Sequence, residues 1–329
     1  MEVSDNTIKL AFSMQSNKGV YALLLGSGIS ISAGIPTGWG VVCDLINKLA
    51  RLHGENPGEK CWEWYEKKFN KPADYSDLLD FLADTPTQRA KLLTSYFEPN
   101  DDERATGKKL PTLAHKAIAK LIKQKYVKVI ITTNFDRLLE KALSDLNINP
   151  RVVSSSDDIK GLPSLVHMER PLIIKVNGDY LDSRIKNTPE ELETYTPEMN
   201  KLLTEIFSKY GLILSGWSGK YDTALIECYR KGINKEFSTY WIDPSGLSDS
   251  AKDLLSLRGG KFVKATSDEF FSDLEHKLLN NETQKIDEKY EVHNNLPEDL
   301  SSFIGREKEI DEITSILRNK RLITILGIG

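Results

Sequence analysis

Cysteine is scarce in this 329-residue chain, with only Cys43, Cys61 and Cys228 present. They lie far apart and are odd in number, so no disulfide framework is written here. No CxxC pair exists to hold a structural zinc, and no metal site is expected. The simplest reading is three small apolar side chains in a reducing compartment, which places the chain in the cytoplasm. Long apolar runs are missing too. The longest, such as Val20–Leu25 and Val127–Ile131, are strand-sized and far short of a membrane span, so no membrane partner is expected. Met1–Leu10 lacks a basic stretch followed by an apolar one, which predicts no signal peptide. A basic excess is absent as well. Against 44 Lys and Arg stand 48 Asp and Glu, a net charge of −4, which argues against a chain built to grip nucleic acid. Internal repeats and low-complexity tracts are absent.

What is present is ordinary for a globular protein, 40% hydrophobic and 28% charged residues. The length allows one large α/β core or two modest ones. Near-continuous apolar runs at Tyr21–Leu25, Val127–Thr132, Leu172–Val176, Gly211–Ser215, Ser238–Ile242 and Lys261–Val263 read as buried parallel strands. Amphipathic stretches such as Arg137–Leu146, Met199–Tyr210 and Thr223–Lys231 lie between them. Strand–helix alternation predicts an α/β fold, a doubly wound, Rossmann-like parallel sheet covered on both faces. From Asp44 to Lys125 the pattern is helical throughout, with turn signals at Asn56–Gly58 and Pro99–Asp102. This predicts a large helical insertion between the first two strands, sized to cap a ligand crevice. The expected organisation is one domain over 1–280, then a polar linker over 281–302. A second pattern occupies 303–329, a helix through Leu317 and a strand at Arg321–Leu326 running into Gly327-Ile-Gly329. A strand entering glycines is how a phosphate-binding P-loop opens, although the lysine and hydroxyl that bind phosphate and magnesium do not appear.

The strongest local signal follows the first strand: Gly26-Ser-Gly-Ile-Ser-Ile-Ser-Ala-Gly-Ile-Pro-Thr-Gly-Trp-Gly40. Gly26 and Gly28 would let backbone amides approach a diphosphate, with the following helix adding its N-terminal dipole. Ile31 stands where the third glycine of GxGxxG belongs, which disfavours an oxidoreductase. After the second strand comes Thr132-Thr-Asn-Phe-Asp136, where Asn134 suits either a ligand or a helix cap near Arg137. Ser215-Gly-Trp-Ser-Gly-Lys-Tyr-Asp222 and Trp241-Ile-Asp243 end two later strands. Asp243 is placed to bind ribose hydroxyls, and both segments also suit ordinary strand-to-helix turns.

Taken together over residues 15–280, these motifs resemble the sirtuins. The resemblance implies NAD as substrate and cleavage of the nicotinamide–ribose bond. It gives Asn134 the ribose and the attacking water, with Asp136 as partner acid. Cofactor contacts fall to Gly26, Ser27, Gly28, Ser30, Ala33, Pro36, Trp39 and Thr132, and to Gly216, Ser218 and Asp243 on the adenosine side. Three departures stand out. The CxxC pairs of the sirtuin zinc module are absent. Thr37-Gly-Trp39 replaces Asp-Phe-Arg, leaving Trp39 as an aromatic lid over nicotinamide. After the strand Leu172–Val176, Asn177-Gly178-Asp179 stands where His-Gly is expected, the histidine being the general base. An amide cannot accept a proton at neutral pH. None of the five histidines replaces it by sequence position; His167, the nearest, precedes the strand.

A zinc-free version with a Thr-x-Trp loop resembles the sirtuin-type NADase effectors of bacterial antiphage proteins. Phe303–Gly329 resembles the entry to a STAND/NB-ARC-type NTPase. What this resemblance implies is an NAD+ glycohydrolase and a homo-oligomer, tetramer favoured. A phage-derived trigger would be sensed beyond Gly329, and ATP and Mg would be bound only by that NTPase part. The rivals are a catalytically silent NAD- or ADP-ribose-binding and assembly module, and a NAD-dependent protein deacylase.

Overall fold

Seven strands pair side by side, all parallel, in the order β3-β4-β2-β1-β5-β6-β7. They are β1 (Tyr21–Leu25), β2 (Val127–Thr132), β3 (Arg151–Val153), β4 (Leu172–Lys175), β5 (Gly211–Ser215), β6 (Thr239–Ile242) and β7 (Lys261–Val263). This computed structural model describes residues 5–73, 75–180, 193–283 and 307–317. The chain divides into two units, Met1–Gln284 and Lys285–Gly329. The stretch expected as a linker is helical up to Thr283 and beyond that lies outside the described residues. So does the expected strand Arg321–Leu326 with its glycines; of the second unit the helix Glu307–Leu317 is described.

Period-two alternation in continuously apolar strands sorts their side chains to two faces. On β1, Tyr21, Leu23 and Leu25 join one cluster, with α1 (Asp5–Ser16), α7 (Leu113–Lys123) and the helix Ser267–Thr283. Ala22 and Leu24 join the other, under the helices Pro197–Lys209, Thr223–Lys231 and Asp249–Leu257. The sheet is thus doubly wound, as the sequence predicts. Between β1 and β2 the described residues form helices only: α2 (Gly38–Leu52), α3 (Cys61–Phe69), α4 (Tyr75–Leu82), α5 (Pro86–Phe97), α6 (Asp101–Ala105) and α7. Residues of α2 to α5 form a third core, while α7 packs on the sheet. Phe135, Leu138 and Tyr180 belong to that third core, so the helical module leans on the turn that follows β2.

Strand order reverses at β1, whose neighbours are β2 and β5, and a crevice at the C-terminal strand ends is the expected ligand position there. The glycines of the first turn act differently from their sequence reading. Gly26 N–H donates to Ser215 O and Gly28 N–H to Gly216 O, each at 3.0 Å. A Cβ on Gly26 would lie 2.3 Å from Gly216 O, and one on Gly28 2.6 Å from Gly216 Cα. Gly216 itself has φ +70°, a left-handed conformation suited to glycine. The three glycines therefore let the turns after β1 and β5 interlock, and two of the amides expected for diphosphate are occupied by protein carbonyls. The segment that follows is a 3-10 turn, Ser27–Ala33, rather than a long helix with a full dipole. Gly26 has φ −112°, open to any residue, so Gly26→Ala isolates the steric contact. Overpacking there is expected to cost about 1–3 kcal/mol, read as a lower urea midpoint with unchanged slope. An unchanged midpoint would show that the two turns separate freely.

Candidate functional site

β2 ends in Thr132, and the next residues turn across the C-terminal edge of the sheet. Thr133 N–H donates to Leu25 O at 3.0 Å, tying the turn to β1, and Asn134 N–H donates to Thr132 Oγ1 at 3.1 Å. Asp136 is buried and accepts three hydrogen bonds. Its Oδ1 takes Leu138 N–H at 3.0 Å, starting α8 (Leu138–Ser144), while Oδ2 takes Ser30 Oγ at 2.8 Å and Asn134 Nδ2 at 3.3 Å. The side chain that starts this helix is thus Asp136, and Asn134 is left for other work. Asn134 Nδ2 also donates to Ser30 Oγ at 3.3 Å. Ser30 gives its proton to the carboxylate, and a carboxylate can only accept, so both neighbours require the amide nitrogen to face them. Asn134 Oδ1 is turned away as a consequence, buried and without a partner.

A second amide repeats the arrangement at the end of β4. Val176 N–H donates to Thr132 O at 3.0 Å, which sets the β4 end beside the β2 end. Asn177 Nδ2 donates to Thr133 O at 3.4 Å and to Asp222 Oδ1 at 3.2 Å. Asn177 Oδ1 is also buried with no partner. Behind it, Asp222 Oδ2 accepts the Trp217 indole N–H at 2.7 Å, and Trp217 stacks on Trp241 at 5.4 Å and 15°.

At the end of β4 lies Lys175, with a completely buried side chain. Its Nζ reaches Phe135 O at 3.1 Å, Asp136 O at 2.7 Å, Glu140 Oε1 at 3.2 Å and Asp179 Oδ2 at 3.1 Å. Arg137 Nε adds a contact to Asp179 Oδ2 at 3.4 Å. His115 is buried on α7, where Thr112 N–H donates to its Nδ1 at 3.3 Å. Burial pushes this imidazole below its usual range, against the opposite pull of the Asp136 and Asp268 carboxylates.

The structure brings Ser30, Thr132, Asn134 and Asp136 into one cluster, joined through Thr133 to Asn177, and it sets Gly26 and Gly28 against Gly216. Other expected site residues stand apart in their contacts. Ala33 O accepts Lys109 N–H at 2.6 Å. Trp39 is 56% exposed and packs against Trp62 with centroids 6.1 Å apart, a surface pair. Ser27 and Pro36 are half-buried and Ser218 is exposed. Asp243 Oδ1 accepts Ser245 and Gly246 N–H at 2.7 and 3.0 Å, closing its own turn. Lys175, Trp217 and Asp222 were not singled out by sequence reasoning. For Lys175 a signal existed, a lysine inside a continuously apolar strand, which demands buried partners. Among the described residues no group of three or more His, Cys, Asp and Glu could hold a metal ion. No single described helix is long and apolar enough to cross a membrane.

Residues 128–259 match the SIR2-like domain family, a span that contains the turn after β2, the end of β4 and the Ser215–Asp222 segment. No curated protein matches the sequence. Among solved structures, one from a study of the mechanism and regulation of Sir2 enzymes is 16% identical, covering 86% of this chain and all of its own, with a TM-score of 0.48. A Sir2 homolog–NAD complex is 18% identical, covering 85% of this chain and 95% of its own, with a TM-score of 0.41.

Proposed function

We propose that this domain binds NAD+ at the C-terminal ends of β1, β2 and β4 and cleaves it between nicotinamide and ribose. The observation that carries this reading is the pair of buried, partnerless amide oxygens, Asn134 Oδ1 and Asn177 Oδ1. An unsatisfied buried acceptor costs about 1–3 kcal/mol, so the pair calls for a ligand that brings hydroxyl donors. The cis-hydroxyls of a ribose supply two donors in one rigid unit. The SIR2-like match over 128–259 supports NAD as the nucleotide that carries that ribose.

The chemistry is NAD+ plus water giving nicotinamide, ADP-ribose and a proton. The C–N bond breaks with its electron pair on nitrogen, so nicotinamide leaves neutral and needs no acid. The ribosyl oxocarbenium is then trapped by water. With its Nδ2 held by Ser30 and Asp136, Asn134 turns Oδ1 to orient the ribose and that water and to place a partial negative charge near the cation. Asn177 can orient a hydroxyl but cannot remove its proton. This favours a second reading, a silent NAD- or ADP-ribose-binding module. The wider reading is an antiphage effector that assembles as a homo-oligomer on a phage-derived trigger, with ATP and Mg bound by a C-terminal NTPase part. It rests on the zinc-free motif set and on the pattern of 303–329.

Calorimetric titration tests the binding step. ADP-ribose is expected to bind the parent chain, and Asn134→Ala to weaken it about tenfold, the loss of one neutral hydrogen bond. No heat and no ligand-induced rise in melting temperature at millimolar NAD+ or ADP-ribose would overturn the proposal. Chromatographic detection of released nicotinamide then separates the hydrolase from the silent module.

A further inference from the structure

Outside the amide pair, the buried Asp222 bonds to both Asn177 and Trp217. We propose that Asp222 is a positioning residue that fixes which atom of the side chain at position 177 faces the substrate; this rests on the NAD reading above. Asp222 is 7% exposed and is held from behind by the Trp217 indole N–H at 2.7 Å. Trp217 cannot drift, because it is itself buried and stacked on the buried Trp241. The other carboxylate oxygen takes Asn177 Nδ2 at 3.2 Å, and the second hydrogen of that amide goes to Thr133 O. Both groups behind Asn177 are acceptors only. Flipping the amide would set its oxygen against a carboxylate and a carbonyl, so the nitrogen stays toward them and Oδ1 is turned away, buried and without a protein partner.

The same carboxylate decides what an imidazole would do there. One ring N–H would donate to Asp222, leaving the other ring nitrogen as an acceptor toward the substrate, in the tautomer a general base requires. A carboxylate at that distance also favours the protonated ring and raises its pKa. The Tyr195 phenol also lies in the field of Asp222, and burial first and then Asp222 hold it well above its ordinary range. It stays neutral at working pH and does not compete for the proton.

Three measurements test the assignment. In an Asn177→His background, Asp222→Asn is expected to lower the apparent pKa of the rate of nicotinamide release by about 1–3 units. With Asn177 in place, Asp222→Asn is expected to weaken ADP-ribose about tenfold. Asp222→Glu, which keeps the charge, should recover part of both. A pH profile that ignores Asp222→Asn would overturn the assignment. The third measurement needs neither ligand nor a change at 222. Asn177→Asp places two carboxylates against each other, which raises the folded-state pKa of the pair above its unfolded value. Its stability should be fully present below about pH 4, the unfolded carboxyl value, and fall as pH rises through the raised folded-state pKa, whereas the parent shows no such added loss. A variant with the same pH dependence as the parent would mean that Asp222 does not face position 177. Because this arm uses no nucleotide, it stands or falls separately from NAD binding.

Discussion

Asn177→His is expected to raise nicotinamide release from NAD+ by about 10²–10⁴-fold, the usual contribution of a positioned general base. That is roughly 3–5 kcal/mol of barrier. The gain is bounded because departure of nicotinamide needs no acid and water traps the oxocarbenium without a strong base. It is expected to be large because, among the described residues, the titratable groups around the amide pair are already engaged. The Asp136 carboxylate already accepts from Ser30, Asn134 and Leu138 N–H. Asp179 is tied to Lys175 at 3.1 Å and Arg137 at 3.4 Å. His115 is buried, held below its usual range by that burial, and its Nδ1 is occupied at Thr112. Initial rates from NAD+ at saturating concentration, with binding shown independently, check the result. An unchanged rate in a protein that binds NAD+ would mean that the proton leaves by another route, and the role given to position 177 would be wrong.

The parallel sheet is legible in the sequence because its strands are buried on both faces and therefore read as unbroken apolar runs. β3 is not, since three residues at the sheet edge, with Arg151 exposed, carry too little pattern to register. The sequence places Gly26 and Gly28 correctly at a tight turn but cannot supply their reason. Their neighbour is Gly216, remote in the chain, and only the folded sheet brings the two turns into contact. At the amide pair the same limit applies. Asn134 and Asp136 sit in one short motif, so their partnership is local and visible. Asn177 and Asp222 meet only across the ends of β4 and β5, and the polarity of Asn177 depends on a carboxylate that no spacing rule connects to it. Asp222 closes the Ser215–Asp222 segment with no mark that sets it apart in sequence, and Asp243, better placed by strand position, is used up in its own turn.

Lys175→Met is expected to destabilise the domain by about 3–5 kcal/mol, the cost of stripping one partner from a buried ionic cluster. Methionine matches the lysine stem and keeps the packing of β4, so the loss falls on the ammonium. Without it the Glu140 and Asp179 carboxylates, with side chains 13% and 9% exposed, lose the buried ammonium they share, and the partly exposed Arg137 contacts both. The carbonyls of Phe135 and Asp136 lose a shared donor at 3.1 and 2.7 Å. For a domain of this size the melting temperature should drop by about 6–20 °C. Lys175→Arg is not a rescue, because a planar fork cannot occupy a fully enclosed site shaped for a point charge. Removing a charge on the other side should help instead, and the Lys175→Met, Asp179→Asn pair is expected to be less destabilised than the sum of its single changes. The functional consequence follows from the same contacts. Those two carbonyls directly follow Asn134, so freeing them lets the turn rotate and the amide oxygen leave its outward orientation. Whatever Lys175→Met retains in folded protein at low temperature should therefore bind ADP-ribose more weakly than Asn134→Ala does, since it disturbs Asn134 and the Asp179 side of Asn177 together. A melting temperature within about 2 °C of the parent, or full affinity in the folded variant, would show that the lysine is only a space-filler beneath the site.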